Sequence, residues 1–183
     1  MSNKIVVIIF LCLVGIGNLF AQNRYATRTG VIRFFSETPL EDIKAENKQV
    51  ACIIDVEKGE LAFSLFTKAF VFPNGLMQEH FNENYMESEK FPKATFKGVF
   101  YQKIDPKKDG IYKINVQGDL TLHGVTKRIT VPASIEVKNT TLLTKSAFNV
   151  QTEDYKIEIP ALVRDKIAKD VAVTVIATCE PMK

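Results

Sequence analysis

The chain has 183 residues, of which 24 are lysine or arginine and 21 are aspartate or glutamate, giving a formal net charge of +3 at pH 7. This near balance gives no reason to expect a nucleic acid or another polyanion as a partner. Hydrophobic residues make up 46% of the chain, which is enough for the core of one domain that folds without covalent crosslinks.

The N-terminus has the pattern of a secretory signal peptide. Lys4 precedes an apolar stretch, Ile5–Phe20, and the small residue Ala21 stands at the expected cleavage point. We therefore expect residues 1–21 to be removed and residues 22–183 to form a single domain that is periplasmic or secreted and has no transmembrane span. An uncleaved membrane anchor is the alternative, but the apolar run is short for a span, which needs about 20 residues.

Strand patterns dominate the rest of the chain, because apolar and polar residues alternate through most of it. So many short strands, separated by turn signals such as Asp109-Gly110, favour a closed antiparallel barrel or a sandwich. Gly118 marks a bulge or a place where a side chain does not fit. The predicted strands are Val31–Phe35, Gln49–Glu57, Glu60–Phe72, Thr95–Lys103, Tyr112–Leu122, Arg128–Val137, Thr144–Gln151, Tyr155–Ile159 and Val171–Thr178.

Helical patterns interrupt the strands in three places. A capping threonine followed by proline predicts a short helix over Pro39–Glu46. A second helix is expected over Met77–Ser88, ending before Pro92, and a short helical turn over Leu162–Ala168. In the second helix, the spacing puts an apolar stripe on one face and glutamates on the face toward water. The stripe comprises Met77, Phe81 and Tyr85, and the glutamates are Glu79, Glu83 and Glu87.

Two cysteines remain after signal cleavage, Cys52 and Cys179, and both lie in apolar strand patterns. They leave two alternatives open: a disulfide, which would persist in an oxidising compartment, or two buried thiols that act as small hydrophobic side chains. No cluster of cysteine and histidine has the spacing of a metal site, so we expect no metal and no cofactor.

Three segments resemble a known family. They are LMQEHFNENYMESEKFPKATFKG at residues 76–98, GDLTLHGVTKRITV at 118–131 and FNVQTEDYKIEIP at 148–160. Together and in this order they resemble the YceI-like family of secreted bacterial proteins, and the resemblance extends from about Phe35 to Thr178. It implies an extended, lipocalin-like antiparallel β-barrel of about eight strands with one or two short flanking helices. It also implies that the barrel interior binds an isoprenoid or another long-chain lipid.

The composition supports a container for an apolar ligand independently of the family. The chain has 13 phenylalanines and no tryptophan, and phenylalanine lines an apolar cavity without a polar group that needs a buried partner. The alternative is that these side chains simply form the core. The alternation places the following residues on the inward face as candidate lipid-lining side chains: Phe63, Leu65, Phe96, Phe100, Leu120, Leu122, Phe148 and Val150.

Charged residues near the barrel mouth could anchor a lipid head group. Lys127 and Arg128 follow a predicted turn, and their cationic side chains suit a phosphate or a carboxylate, although paired charges at a strand edge are more often simply solvated. The two histidines, His80 and His123, lie far apart in sequence, so structural hydrogen bonding is a better explanation for them than a metal site.

No catalytic constellation accompanies these features. The chain lacks a GxSxG sequence, a phosphate-binding glycine loop and a nucleic-acid-binding signature, so we expect no catalytic residues and no enzymatic activity. The leading hypothesis is a periplasmic or secreted lipid-binding barrel. A self-filled barrel that acts as a protein-interaction or stress-protection module is the alternative, and an enzyme acting on a bound lipid is a weaker third. The sequence leaves open whether the protein forms a homodimer.

Overall fold

The computed structural model describes residues 23–38, 42–160 and 167–182. Eight antiparallel strands follow one another in chain order around a closed barrel, in which the last strand pairs with the first. The prediction of an antiparallel barrel of about eight strands is therefore confirmed. The strands are β1 (Arg24–Ser36), β2 (Ile43–Asp55), β3 (Glu60–Phe66), β4 (Lys93–Val99), β5 (Gly110–Leu122), β6 (Val125–Lys138), β7 (Thr141–Gln151) and β8 (Asp170–Pro181).

Closure of the barrel explains why the alternating pattern is so regular. Each strand presents every second side chain to the interior, as in β7, where Leu142, Thr144 and Val150 are buried and the exposed Lys145 and Asn149 point outward. Pairing of β1 with β8 satisfies the backbone groups of both edges, so the barrel leaves no open sheet edge. A register shift in β1 around Gly30 bends this strand.

The predicted helix over Pro39–Glu46 is wrong where the chain is described. Residues 39–41 lie outside the described residues, but β2 begins at Ile43 and its first residues pair with the end of β1, with Phe34 opposite Ala45. Ala45 is buried against the barrel interior, so the ladder and its core contacts override the local helix-start signal. The expected signal peptide lies outside the described residues, as does most of the expected turn Leu162–Ala168.

The predicted strand Tyr155–Ile159 is also wrong. The chain forms a single 3₁₀ turn at Thr152–Tyr155, and Lys156 then adopts a left-handed conformation with φ of 55°. Tyr155 and Ile157, which alternate with polar residues in the sequence, are both buried at the open end of the barrel. There they pack with Met86 and Val150. Alternating burial here comes from a turn that covers the barrel end, and no strand pairing is involved.

The segment between β3 and β4 carries the helix and crosses the same end of the barrel. Helix α1 (Gly75–His80) begins at Asn74, whose side chain accepts hydrogen bonds from two backbone N–H groups, and a π-helical turn at Phe81–Tyr85 extends it. The position of the predicted helix is confirmed, although it ends earlier than expected. Glu87 lies beyond this end; its side chain stays partly exposed, as predicted, and also hydrogen-bonds to His123.

The barrel interior divides into two halves along its axis. Side chains fill the half that contains the start of β1 and the end of β8, where Cys52, Ile54, Ile135, Leu142 and Cys179 have no exposed surface. The opposite half, toward the helix, contains a cavity. The self-filled barrel that the sequence left open is thus realised in only one half of the interior.

The two cysteines lie in the filled half as free thiols. The hydrogen bond between Cys52 and Cys179, together with burial, raises the pKa of the Cys52 thiol far above its ordinary value. A neutral buried thiol is a poor nucleophile, so the pair acts as two small hydrophobic side chains in the core.

Candidate functional site

The cavity at the helix end of the barrel has a volume of about 490 Å³. This volume falls within the range of small-molecule binding sites, roughly 300–1,000 Å³. Its lining includes seven of the eight side chains predicted from the sequence as lipid-lining residues. These are Phe63, Leu65, Phe96, Leu120, Leu122, Phe148 and Val150.

Phe100, the eighth predicted lining residue, does not border the cavity. Phe100 is 3% exposed and belongs to the filled half of the barrel. Its backbone N–H donates a hydrogen bond to the Gly59 carbonyl oxygen. Alternation from Phe96 in β4 to Phe100, the first residue after this strand, correctly puts both side chains on the same face. It says nothing about depth along the barrel axis, and for that reason the sequence could not separate the two phenylalanines.

An aromatic cluster that sequence reasoning did not assign to the site forms one side of the cavity mouth. The Phe34 ring lies 5.3 Å from Phe70, 5.7 Å from Phe72 and 5.5 Å from Phe81, measured between ring centroids. Such pairs each contribute about 0.5–1.5 kcal/mol beyond their buried area. The cluster joins β1 to the helical segment, and the helix stripe of Met77, Phe81 and Tyr85 borders the cavity. In the sequence, the apolar stripe of the predicted helix was therefore the feature that indicated this part of the site.

The lining is almost free of charge. Among the described residues around the cavity, the only lysine, arginine, aspartate, glutamate or histidine is His80, which is exposed at the end of α1. Polar lining groups are hydroxyls and one amide, as at Ser64, Asn74 and Thr144. A charged group is costly to bury without a partner, so this interior suits an uncharged, largely apolar molecule.

The two residues predicted as head-group anchors lie outside the cavity. Lys127 Nζ donates a hydrogen bond to Asp154 Oδ1, and Arg128 Nη1 lies 3.5 Å from Asp119 Oδ1 on the exposed surface. Each cation thus has a carboxylate partner of its own and neither borders the described cavity. Their role as anchors stays a prediction that the cavity geometry does not favour.

His123 has a structural hydrogen-bonding role, as expected. Its ring is buried beside the mouth, with Nδ1 3.0 Å from the Tyr155 carbonyl oxygen and Nε2 2.9 Å from Glu87 Oε2. The Phe91 ring packs edge-on at 4.6 Å between centroids. His123 therefore links three segments around the barrel end: the turn between β5 and β6, the 3₁₀ turn at Thr152–Tyr155, and the chain that follows the helix.

This link predicts a pH dependence of stability. The hydrogen bond from His123, opposed by desolvation and assisted by the hydrogen bond from Lys90, lowers the pKa of the Glu87 carboxyl below its ordinary value. A carboxyl with a lowered pKa stabilises the fold above its unfolded-state pKa of about 4.3, and that stabilisation is lost as pH falls through the lower folded value. We expect Glu87→Gln to melt below the wild type at pH 6 and the difference to shrink below pH 4.

Thermal unfolding followed by circular dichroism from pH 2 to pH 7 measures this difference. Glu83→Gln is the matched control, because Glu83 lies on the exposed face of the π-helical turn. A Glu87→Gln difference that persists unchanged down to pH 2 would contradict the proposed role of the carboxylate.

The described part of the chain holds no group of three or more histidine, cysteine, aspartate or glutamate side chains arranged to bind a metal ion. No helix in the described ranges is long and apolar enough to cross a membrane.

Fold and site together define a class: a lipocalin-like closed β-barrel with an apolar cavity at one end. The chain belongs to the YceI-like domain family, whose model matches residues 24–179. A UPF0312 protein of Vibrio vulnificus is 48% identical over 50 residues, which are 27% of this chain and 24% of the relative. A UPF0312 protein of Vibrio parahaemolyticus is 46% identical over the same length, again 24% of the relative. The matched segment thus spans about a quarter of these curated relatives.

Solved structures share the fold at low sequence identity. A polyisoprenoid binding domain from Saccharophagus degradans, implicated in plant cell wall breakdown, has a TM-score of 0.75 at 15% identity, covering 88% of this chain and 99% of that domain. BcnA of Burkholderia cenocepacia has a TM-score of 0.69 at 14% identity, covering 82% and 95%. The Campylobacter jejuni YceI protein has a TM-score of 0.59 at 17% identity, covering 75% and 84%.

Proposed function

We propose that this protein binds an isoprenoid or another long-chain lipid in the cavity of its barrel. The observation that carries the proposal is the apolar cavity of about 490 Å³, in which hydrophobic side chains predominate and the described lining holds no lysine, arginine, aspartate or glutamate. The structural similarity to a polyisoprenoid binding domain supports the same ligand class. The role is binding, and no catalytic step is proposed.

The size of the cavity limits how much of a lipid it holds. At about 30 Å³ for each water-sized group, 490 Å³ accommodates on the order of 16 such groups. Each buried methylene contributes about 0.8 kcal/mol before the costs of association are subtracted. A moderately long acyl or prenyl chain therefore supplies enough free energy for micromolar binding, which requires about 8 kcal/mol. Any additional length extends through the mouth.

We also propose that the protein acts outside the cytoplasm, in the periplasm or after secretion. The support is the signal-peptide pattern of residues 1–21, in which Lys4 precedes an apolar stretch and Ala21 stands at the cleavage point. N-terminal sequencing of the protein recovered from the exported fraction tests this. A mature N-terminus near Gln22 is expected, and retention of the first 21 residues would contradict it.

Equilibrium titration with a fluorescent fatty acid, cis-parinaric acid, whose carboxylate we expect to stay in water at the cavity mouth, tests lipid binding. We expect saturable binding to one site per chain with a Kd in the micromolar range, and displacement of the probe by the isoprenoid alcohol farnesol. Fluorescence that rises linearly without saturation, together with no displacement by farnesol, would contradict the proposal.

A further inference from the structure

One hydroxyl in the barrel wall lacks an internal partner. Thr144 is 2% exposed, and its Oγ1 is the only buried side-chain nitrogen or oxygen in the described part of the chain without a hydrogen bond. Leaving a buried hydroxyl unpaired is unfavourable, and natural structures pair the large majority of such groups. A group at this position that accepts or donates a hydrogen bond would remove that penalty.

Neighbouring atoms cover the hydroxyl, and rotation of the threonine side chain about its Cα–Cβ bond would bring it to the cavity that Thr144 borders. Thr144 is at an inward position of β7 and borders the cavity. Its neighbours across the two adjacent strands are Ile135 and Ala177, which are 0% and 1% exposed and belong to the filled half. Thr144 therefore stands at the floor of the cavity, at the boundary between the filled and the open halves.

The next inward residue along β7 shows what a satisfied hydroxyl looks like here. Ser146 also borders the cavity, but its Oγ donates a hydrogen bond of 2.7 Å to the Pro132 carbonyl oxygen. The Ser146 hydroxyl therefore needs no hydrogen-bond partner from a ligand, whereas the Thr144 hydroxyl lacks a partner within the protein. The two side chains thus lie on the same strand, the same face and the same cavity, and differ in whether the hydroxyl has a hydrogen-bond partner.

We infer that the Thr144 hydroxyl binds an uncharged oxygen at the buried end of the ligand. This inference rests on the proposed function and deepens it, because it assigns the ligand a neutral polar group, such as a hydroxyl or a carbonyl, and an orientation. The polar group enters first and the hydrocarbon chain runs toward the mouth. The group is uncharged because no lysine, arginine, aspartate or glutamate borders the cavity among the described residues.

Competition titrations against cis-parinaric acid with farnesol and with farnesene, the corresponding hydrocarbon, test the inference. The measured quantity is the ratio of the two affinities. Thr144→Val keeps the shape of the side chain and removes its hydroxyl, and we expect it to lower the preference for farnesol over farnesene about tenfold, as the loss of one buried hydrogen bond predicts. Thr144→Ser, which retains the hydroxyl, and Ser146→Ala are expected to leave the ratio within about twofold of the wild type.

The results separate this inference from the proposed function. Binding of both probes to the wild type with a ratio that Thr144→Val does not change would overturn the role of Thr144 and leave lipid binding intact. Failure of the wild type to bind either probe would overturn lipid binding itself. Tighter binding of farnesyl diphosphate than of farnesol would overturn the assignment of an uncharged group. Thermal unfolding of each variant verifies that it is folded.

Discussion

Gly118→Ala is expected to destabilise the barrel by about 3 kcal/mol, which lowers Tm by roughly 6–12 °C in a domain of this size. A Cβ atom built on Gly118 would lie 2.4 Å from the Lys97 carbonyl oxygen and 2.6 Å from the Gly98 Cα. Both contacts are with backbone, which cannot rotate away as a side chain could. The strands β4 and β5 would have to separate at this point.

The reason for this close approach lies in the cavity wall. Gly98 and Gly118 are directly opposite each other in the ladder between β4 and β5, and both are buried. A Cβ on Gly118 would also lie 2.7 Å from the tip of the Phe96 ring. The two glycines thus provide the space in which Phe96, a cavity-lining residue, lies against the sheet.

Gly110→Ala is the matched control, because Gly110 begins the same strand and a Cβ there would meet only the Tyr112 ring at 3.9 Å. We expect its Tm to stay within a few degrees of the wild type. Equal melting temperatures for Gly118→Ala and Gly110→Ala would contradict the described register of β4 and β5.

Ala133→Phe is expected to weaken lipid binding about a hundredfold while leaving the fold intact. Ala133 is an inward residue of β6 that borders the cavity, so the added ring occupies space that the ligand needs. Displacing about four methylene groups, at about 0.8 kcal/mol each, costs about 3 kcal/mol of binding free energy, and every 1.4 kcal/mol is a factor of ten. The ring fills an apolar space, so Tm should not fall.

Ala147→Phe provides the control for this substitution. Ala147 lies on the neighbouring strand β7 next to Ser146, the partner of Ala133, but its side chain is on the exposed outer face. Titration with cis-parinaric acid should give the wild-type Kd for Ala147→Phe and a greatly increased Kd for Ala133→Phe. Similar affinities in both variants would mean that the probe binds elsewhere than in the cavity.

The barrel itself could be predicted from the sequence because alternation is a local property. The run Ile129, Val131, Ala133, Ile135, Val137 requires no long-range information to place one face inward, and the resemblance supplied the number of strands. Most of the cavity-lining residues could be predicted for the same reason. The depth of a side chain along the barrel axis could not be predicted from alternation. Phe96 and Phe100 were therefore grouped, although only Phe96 borders the cavity.

The errors share a physical cause, which is that contacts between distant segments decided the outcome. Pairing with β1 made the chain from Ile43 onward a strand in spite of its local helix signal. The role of Lys127 as an anchor stays a prediction, and it too depends on a distant contact, because Lys127 hydrogen-bonds to Asp154, which is 27 residues away. The unpaired hydroxyl of Thr144 is likewise invisible in the sequence, where threonine in a strand is unremarkable.

Native mass spectrometry of the protein purified under mild conditions from the exported fraction, combined with identification of any extracted lipid, tests the central claim most directly. The account predicts one uncharged isoprenoid or acyl lipid per chain, and loss of this lipid in Ala133→Phe but not in Ala147→Phe. Wild-type protein that repeatedly carries no lipid, or that carries the same lipid in the Ala133→Phe variant, would contradict it.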